Sequence, residues 1–535
     1  MRSQRLISGL VSFSSMTMVS RVFGLVRDQS IQIIFGANAL TDAFWVAFRI
    51  PNFLRRLFAE GSFATAFVPV FTEVKETKTH TELRSFMAHM SGALAAVLII
   101  VTACGMFFAP QLAGLFASGN TASVEKVSLL TQLLRLTFPF LLCVSLTALA
   151  GSALNSFQRF AIPAITPIIL NICMIFGAVW LSPHLHTPIL ALGWAVLIGG
   201  ILQLLFQLPA LRRIGLLTLP RWGGAHPYVR KVLYLMVPTL FGSSIAQINL
   251  LLDTLIAAHL SVGSQSWLSL ADRFLELPLG IFGVALGTVI LPSLSRHYVK
   301  LDRMQFANAL DWGLRVTLFI VLPAMTGLLL LARPMIAALF QYGHFSAFDT
   351  QMTVLSVYGL SLGLPAFALI KILLPAFYAR QDTKTPVRAG LIAVVANMLL
   401  NFIYLGILFF TVLPAQERAH GFWFVLAHQP GLHLALGLAS ASSSYLNVGM
   451  LWYWLKRSGM CKPNPGWGIF CTRLLISCIA MALALGLLLH YLPDFTAMSR
   501  LGRVIGLCAS VAIGAGVYIV SQAVLGLRVH HLREQ

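Results

Sequence analysis

The residues able to do chemistry in this chain are arginines set inside apolar sequence. The stretch SRVFGLVRD carries Arg21, Arg27 and Asp28. In a helix Arg21 and Asp28 share a face, while Arg27 points about a third of a turn away. A second stretch, TDAFWVAFRIPNFLRRLFAEGSF, places Asp42, Arg49 and Arg56 at successive sevens, with Arg55 beside them. That spacing predicts one polar stripe, which Pro51 should kink. Arg56 and Glu60 stand at i,i+4 and can pair. In ADRFLELPLGIFGVALGT, Asp272 and Glu276 are also at i,i+4, with Arg273 beside them and Pro278 ending the turn.

A charge in hydrocarbon costs at least about 2.5–3.5 kcal/mol on insertion scales, so each of these side chains must face a cavity, a partner or an interface. Taken singly, each reads first as an ion pair that fixes helix packing, or as an arginine snorkelling to the headgroups. Taken together, Arg21, Arg27, Arg49, Arg55, Arg56 and Arg273 outnumber the nearby carboxylates, and pairing cannot absorb them all. A guanidinium surplus in a wet cavity suits a diphosphate, whose oxygens the planar fork binds bidentately. Asp253 and Lys371 either line the cavity or join local pairs, whereas Glu73 and Asp311 are expected at span ends. The sequence holds no H-E-x-x-H, no G-x-S-x-G and no P-loop, so no catalytic site is expected. Nor is a metal site, because the seven cysteines form no C-x-x-C pair.

Positioning these groups requires membrane-spanning helices. Of the 535 residues 58% are hydrophobic and 10% charged, and the mean hydropathy is +0.83. Soluble domains carry roughly a quarter charged residues, which excludes a large soluble core. Apolar runs predict about fourteen spans: 6–35, 41–74, 85–117, 127–156, 161–182, 188–211, 230–260, 266–296, 304–332, 348–379, 386–413, 432–456, 467–491 and 501–527. The net charge of +20 sits in short loops rather than on one module, which argues against nucleic acid. With the N-terminus inside, about 22 loop lysines and arginines fall on the cytoplasmic side. Only Lys126, Arg333, Arg418 and Arg500 fall outside. Both termini are therefore expected in the cytoplasm, with the first apolar stretch a retained helix rather than a signal peptide. The longest outer segment, Pro414–Gly431, holds FWFVLAH, suited to lie along the membrane surface.

A weak repeat runs through the chain. Ala153-x9-Pro163 with Gln158 recurs as Ala376-x9-Pro386 with Gln381, an offset of 223. Gly61 and Pro69 find Gly283 and Pro292 at nearly that offset. The expected architecture is an all-α polytopic bundle of two pseudo-symmetric six-helix lobes, residues 1–215 and 216–460, plus a helix pair in 461–535. Substrate sites of such repeats lie between the halves.

These stretches resemble the MurJ/MviN family of lipid II flippases, in the MATE-like (MOP) superfamily. The resemblance covers nearly the whole chain. It rests on SSMTMVSRVFGLVRD, TDAFWVAFRIPNFLRRLFAEGSFATAFVPVF, FPFLLCVSLTALAGSALNSFQRFAIPAITPIILNI, ADRFLELPLGIFGVALGTVILPSLS, LFQYGHFSAFDT and FYARQDTKTPV. It implies inward-open and outward-open states, a cationic cavity between two lobes, and a groove for the polyprenyl tail on the last two helices. Its cavity residues carry over to Arg21, Arg27, Asp42, Arg49, Arg55, Arg56 and Arg273, with Glu276 at an acidic position. Asp28, Asp253, Asp272 and Lys371 stand as cavity or ion-coupling candidates. Position 49 is Arg where Lys is also expected, and the segment around Pro414–Gly431 is longer than expected. The resemblance further implies a bacterial inner-membrane protein of cell-wall synthesis and cell shape. No cofactor is expected; the energy source is not readable from the residues, and since a membrane potential acts on any net charge moved, coupling to it or to a monovalent ion stays open. Its implied partners are lipid II, membrane lipids and cell-wall synthesis proteins. The residues alone leave open an exporter of drugs or of another polyprenyl-linked glycan on the same fold, a membrane enzyme, and a scaffold that does not transport.

Overall fold

The computed structural model describes residues 2–56, 61–117, 124–224, 226–280, 284–299, 302–459 and 465–526. Among these residues the chain is all helix and turn, without a strand. The first helices are α1 (Arg2–Phe35), α2 (Ala39–Arg55), α3 (Gly61–Thr77), α4 (His80–Phe107), α5 (Ala109–Ala117), α6 (Val124–Ser156) and α7 (Ala161–Phe176). There follow α8 (Leu190–Arg213), α9 (Pro227–Ala258), α10 (Ser264–Pro278), α11 (Val284–Val299), α12 (Arg303–Leu339), α13 (Ala347–Ser361) and α14 (Leu364–Tyr378). The last are α15 (Lys384–Thr411), α16 (Ala415–Arg418), α17 (Phe422–His428), α18 (Leu434–Arg457), α19 (Trp467–Tyr491) and α20 (Arg500–Val524).

Each apolar run of the sequence coincides with one helix or two consecutive ones. Nine described helices are long and apolar enough to cross a bilayer, and ten if α13 and α14, bent by 40° at their junction, form one broken span. The other runs are the arginine-bearing α1, the pairs α2–α3 and α10–α11, and α9. Exposed stripes show what surrounds the helices. On α19, Leu475, Ile479, Leu483 and Leu487 form an exposed row at i+4 spacing, while Phe470, Leu474, Met481 and Leu485 are buried. On α15, Leu391, Val395, Leu399 and Phe402 are likewise exposed. Such apolar area is tolerated only where lipid covers it. This is an integral membrane protein.

The chain divides into two compact units, residues 1–265 and 266–535. In the first, Phe63, Phe67 and Phe71 stack along one face of α3 and meet Phe86 of α4. Val229 and Val232 bring α9 into the same core. A second core joins Phe44, Trp45 and Phe48 of α2 to Leu133, Phe138 and Phe140 of α6 and Leu192 and Val196 of α8. Pro51 cannot donate to the Ala47 carbonyl one turn back. The buried Thr137 hydroxyl of α6 donates to that oxygen at 2.9 Å instead, so Pro51 leaves no unsatisfied carbonyl in the apolar interior.

In the second unit, α11, α12, α14 and α18 share a core around Leu294, Phe306, Leu310, Phe377 and Leu451. The last two helices pack on α12 through Leu331, Phe470, Leu474, Leu485 and Tyr518. Pro323 frees the Phe319 carbonyl just as Pro51 frees Ala47, and the Tyr518 hydroxyl of α20 donates to it at 2.7 Å. FWFVLAH is the short helix α17, with Trp423 exposed and Val425 and Leu426 buried.

The repeat has a structural counterpart. Gln158 and Gln381 are the described non-glycine residues with positive φ, at 60° and 59°. Their turns bond identically: Gln158 N–H to Asn155 O and Gln381 N–H to Tyr378 O at 2.9 Å, then Arg159 N–H to Leu154 O and Asp382 N–H to Phe377 O at 3.0 Å. Every partner is shifted by 223. Two glutamines held in the left-handed region, where side chains are disfavoured, support the spacing read from the sequence.

The segment leading into α9 lies flat on α4. Arg221 N–H donates to Ala88 O at 2.8 Å, and a Cβ on Gly92 would stand 1.9 Å from the Arg221 carbonyl oxygen. Gly92→Ala is therefore expected to lower thermal stability by about 1–3 kcal/mol, as overpacking does. Gly114→Ala on α5, where nothing lies within 4 Å, should be neutral or mildly stabilising. Melting of the two purified variants checks this; equal melting temperatures would refute the close approach.

Candidate functional site

In the first unit, Arg27 is tied on two sides. Its Nε and Nη2 donate to one Asp28 oxygen at 2.8 and 2.6 Å, and its Nη1 donates to the Asn171 side chain at 3.1 Å. Asn171, on α7, in turn donates to Ser20 O at 3.3 Å. Asp28 is 6% exposed. An extended arginine reaches around the helix to its neighbour, so Asp28 pairs with Arg27 rather than acting only along the Arg21 face. Arg21 is half-buried on the same helix.

The stripe on α2 is present, and Asp42 and Arg49 each have an anchor. Asp42, in the first turn, accepts the Gly263 N–H at 2.7 Å, a turn residue at φ 97°. Arg49 donates to the buried Thr254 hydroxyl of α9 at 3.0 Å. Arg55 donates to Asn52 one turn back at 2.7 Å, and Arg56 is the half-buried C-cap of α2. Asp253 accepts from Asn249 at 3.2 Å. The expected partner of Arg56, Glu60, lies outside the described residues. Arg49 thus meets a neutral hydroxyl two residues before Pro51, and Arg56 closes the end of α2.

In the second unit, α10 is anchored on both sides of Arg273. Trp267 donates to Asp349 at 3.1 Å and packs on the buried His433. Lys371 of α14 donates to the Leu279 carbonyl at 3.4 Å. Between them Arg273 and Glu276 form a loose pair at 3.5 Å, with side chains 20% and 54% exposed. A pair this long and this open contributes little by itself. Asp272 is half-buried beside it.

Asp311, expected at a span end, is instead buried inside α12. It binds Arg315 at 2.8 Å and the Trp467 indole N–H at 2.6 Å. Arg315 reaches Pro465 O at 3.2 Å and lies over the Trp467 ring. At the other end of α12, Arg503 of α20 donates to the Ala337 and Gln341 carbonyls at 3.2 and 3.3 Å, a guanidinium on a helix C-terminus. Nearby Asp494 is held below its ordinary carboxylate pKa, chiefly by the Thr496 backbone N–H and then by its hydroxyl, with Arg333 adding to them. The terminal pair is thus clamped to α12 at both ends. Reasoning from spacing missed Asn171, Thr254 and Tyr518 as partners. A polar residue inside an apolar run was the available signal, and Asn171 in ILNICMIF carried it.

Known proteins resemble this chain from end to end. The family model described as lipid II flippase MurJ matches residues 31–505. A probable lipid II flippase MurJ of Vibrio cholerae is 39% identical, across 99% of this chain and 98% of that protein. Lipid II flippase MurJ of Burkholderia cenocepacia is 37% identical across 99% of both. Among solved structures, lipid II flippase MurJ in an inward closed conformation superposes with a TM-score of 0.76 at 27% identity, covering 96% of this chain and 98% of that one. An inward-facing MATE family multidrug transporter of the MOP superfamily shares the fold, with a TM-score of 0.65 at 12% identity over 84% of this chain and 98% of that one. The family model over most of the chain and the end-to-end similarity to these relatives agree: this chain belongs to the lipid II flippase MurJ family.

Proposed function

We propose that this protein moves lipid II from the cytoplasmic to the outer leaflet of the bacterial inner membrane by alternating access. The observation that carries the reading is the similarity to named lipid II flippases across 99% of the chain. The arginine set supports it, since Arg21, Arg27, Arg49, Arg55, Arg56 and Arg273 suit a diphosphate. Asp42 and Glu276 position neighbours within that set, and Asp28, Asp253, Asp272 and Lys371 tune its charge. In this proposal residues 1–215 and 216–460 are the rocking lobes and 461–535 carries the tail groove. The fourteen-span count and cytoplasmic termini complete it. The boundary at 215 follows the repeat, whereas contacts group α9 with the first unit. Membrane potential acts on any net charge moved, at about 2.3 kcal/mol per charge per 100 mV, and supplies a driving force without a cofactor. No catalytic step is involved.

Reconstitution of the purified full chain in vesicles holding lipid II tests this. Head groups placed on one leaflet should become accessible on the other in a protein-dependent way, faster under an imposed potential of the right sign. Accessibility no faster than in protein-free vesicles would refute the proposal. Equal flipping of unrelated polyprenyl diphosphates would refute its substrate assignment.

A further inference from the structure

Away from the stretches that carry the transport arginines, the first unit holds a cavity of about 340 Å³ lined by His80, Arg84, Arg212, Gly215 and Leu217. His80 and Arg84 lie one turn apart at the start of α4 and share a face. Arg212 comes from the last turn of α8. Three basic side chains therefore line this hollow, and none of the lining residues is acidic. Glu82, the carboxylate nearest in sequence, is engaged in a capping box, accepting from the Thr79 backbone N–H and hydroxyl at 3.0 Å each.

The wall is built around the imidazole. His80 Nε2 lies 3.2 Å from the Ile214 carbonyl. The next residue, Gly215, turns the chain at φ 74°, and a Cβ there would stand 2.8 Å from His80 Cε1. Glycine alone allows both the turn and the flush packing of the ring.

The surroundings are those of a headgroup layer. Leu219 and Trp222 are 85% and 78% exposed, just beyond Arg212 and Arg213 and flanking Arg221. Exposed leucine and tryptophan interleaved with arginine mark the water–membrane interface, and basic clusters there attract anionic lipid. A purely aqueous loop gains nothing from such residues.

We propose that this cavity binds the phosphate of an anionic membrane lipid, with Arg84 and Arg212 on its oxygens and His80 closing the wall. A free phosphate ion offers the same oxygens but has no acyl chains to meet Leu217, Leu219 and Trp222. The site is separate from the arginines assigned to the transported substrate, so it can stand or fall independently of that reading.

The test uses the full-length protein in neutral detergent. It is titrated with dioleoylphosphatidylglycerol, with dioleoylphosphatidylcholine and with inorganic phosphate, and binding is read by native mass spectrometry and thermal shift. Phosphatidylglycerol should bind more tightly than phosphatidylcholine. Arg84→Gln with Arg212→Gln should weaken it about tenfold, the loss of charge-assisted bonds. Arg388→Gln, an exposed arginine in the second unit, should leave it unchanged. Both cavity arginines are exposed, so their loss leaves no buried charge; a paired Lys variant, keeping charge but not the fork, should bind with intermediate affinity. Unchanged phosphatidylglycerol binding in both double variants would overturn the site. An equal loss in Arg388→Gln would reduce it to general charge attraction and also overturn it. Protection by inorganic phosphate as strong as by the lipid would overturn the lipid assignment in favour of a soluble phosphate.

Discussion

Arg27→Ala is expected to remove most of the protein from the membrane. The substitution strips three hydrogen bonds and leaves Asp28, 6% exposed, as a buried carboxylate without its 2.6 Å partner. Breaking a buried pair in this way costs about 3–5 kcal/mol, a large part of the margin of a folded protein. Arg27→Ala combined with Asp28→Asn removes the buried charge and should restore accumulation, measured by immunoblot of membranes and by melting. Transport then separates the roles. If Arg27 also binds the diphosphate, the restored double variant accumulates but does not flip lipid II. If its role is packing alone, the double variant flips at the normal rate. Arg273→Ala gives the contrast, because its partner Glu276 is more than half exposed; it should accumulate normally and lose transport. Normal flipping by stable Arg273→Ala and by the double variant would sink the substrate-binding assignment of both.

Asp311→Ala is expected to loosen the terminal helix pair without unfolding the rest. The carboxylate is the shared acceptor for Arg315 and the Trp467 indole, and its loss leaves a half-buried guanidinium and a stranded N–H. The expected cost is again about 3–5 kcal/mol, and it falls where α19 enters its groove on α12. Hydrogen exchange should rise across α19 and α20 and stay unchanged in the cores of the first unit. Tyr518→Phe should produce a smaller effect of the same kind, about 1–3 kcal/mol, by leaving the Phe319 carbonyl above Pro323 unsatisfied. If α19 and α20 keep full protection in Asp311→Ala, the clamp is not what docks them. Loss of lipid II flipping in a variant that still accumulates would assign the docked pair a part in transport.

Much of the architecture was legible in the amino-acid sequence because its signals are local. A window of about twenty apolar residues locates a spanning helix whatever it later packs against, and the apolar runs coincide with the helices observed. The arginines stood out for the same reason, since a charge within such a run is costly wherever the run ends up. The offset of 223 was visible as spacing alone. What the spacing could not reveal was that Gln158 and Gln381 both hold left-handed turns, because glutamine carries no local preference for that conformation. The partners of the site residues were also hidden. Asn171 lies 144 positions from Arg27, Thr254 lies 205 from Arg49 and Gly263 lies 221 from Asp42. Helical periodicity orders neighbours three or four residues apart; it says nothing about which distant helix arrives beside them. Asp311 shows the consequence. Its position near the start of an apolar run fitted a span end, yet the docking of α19 buried it beneath Trp467. Whether a charge is a solvated terminus or a buried clamp depends on what packs over it, and only the tertiary structure brings that cover into place.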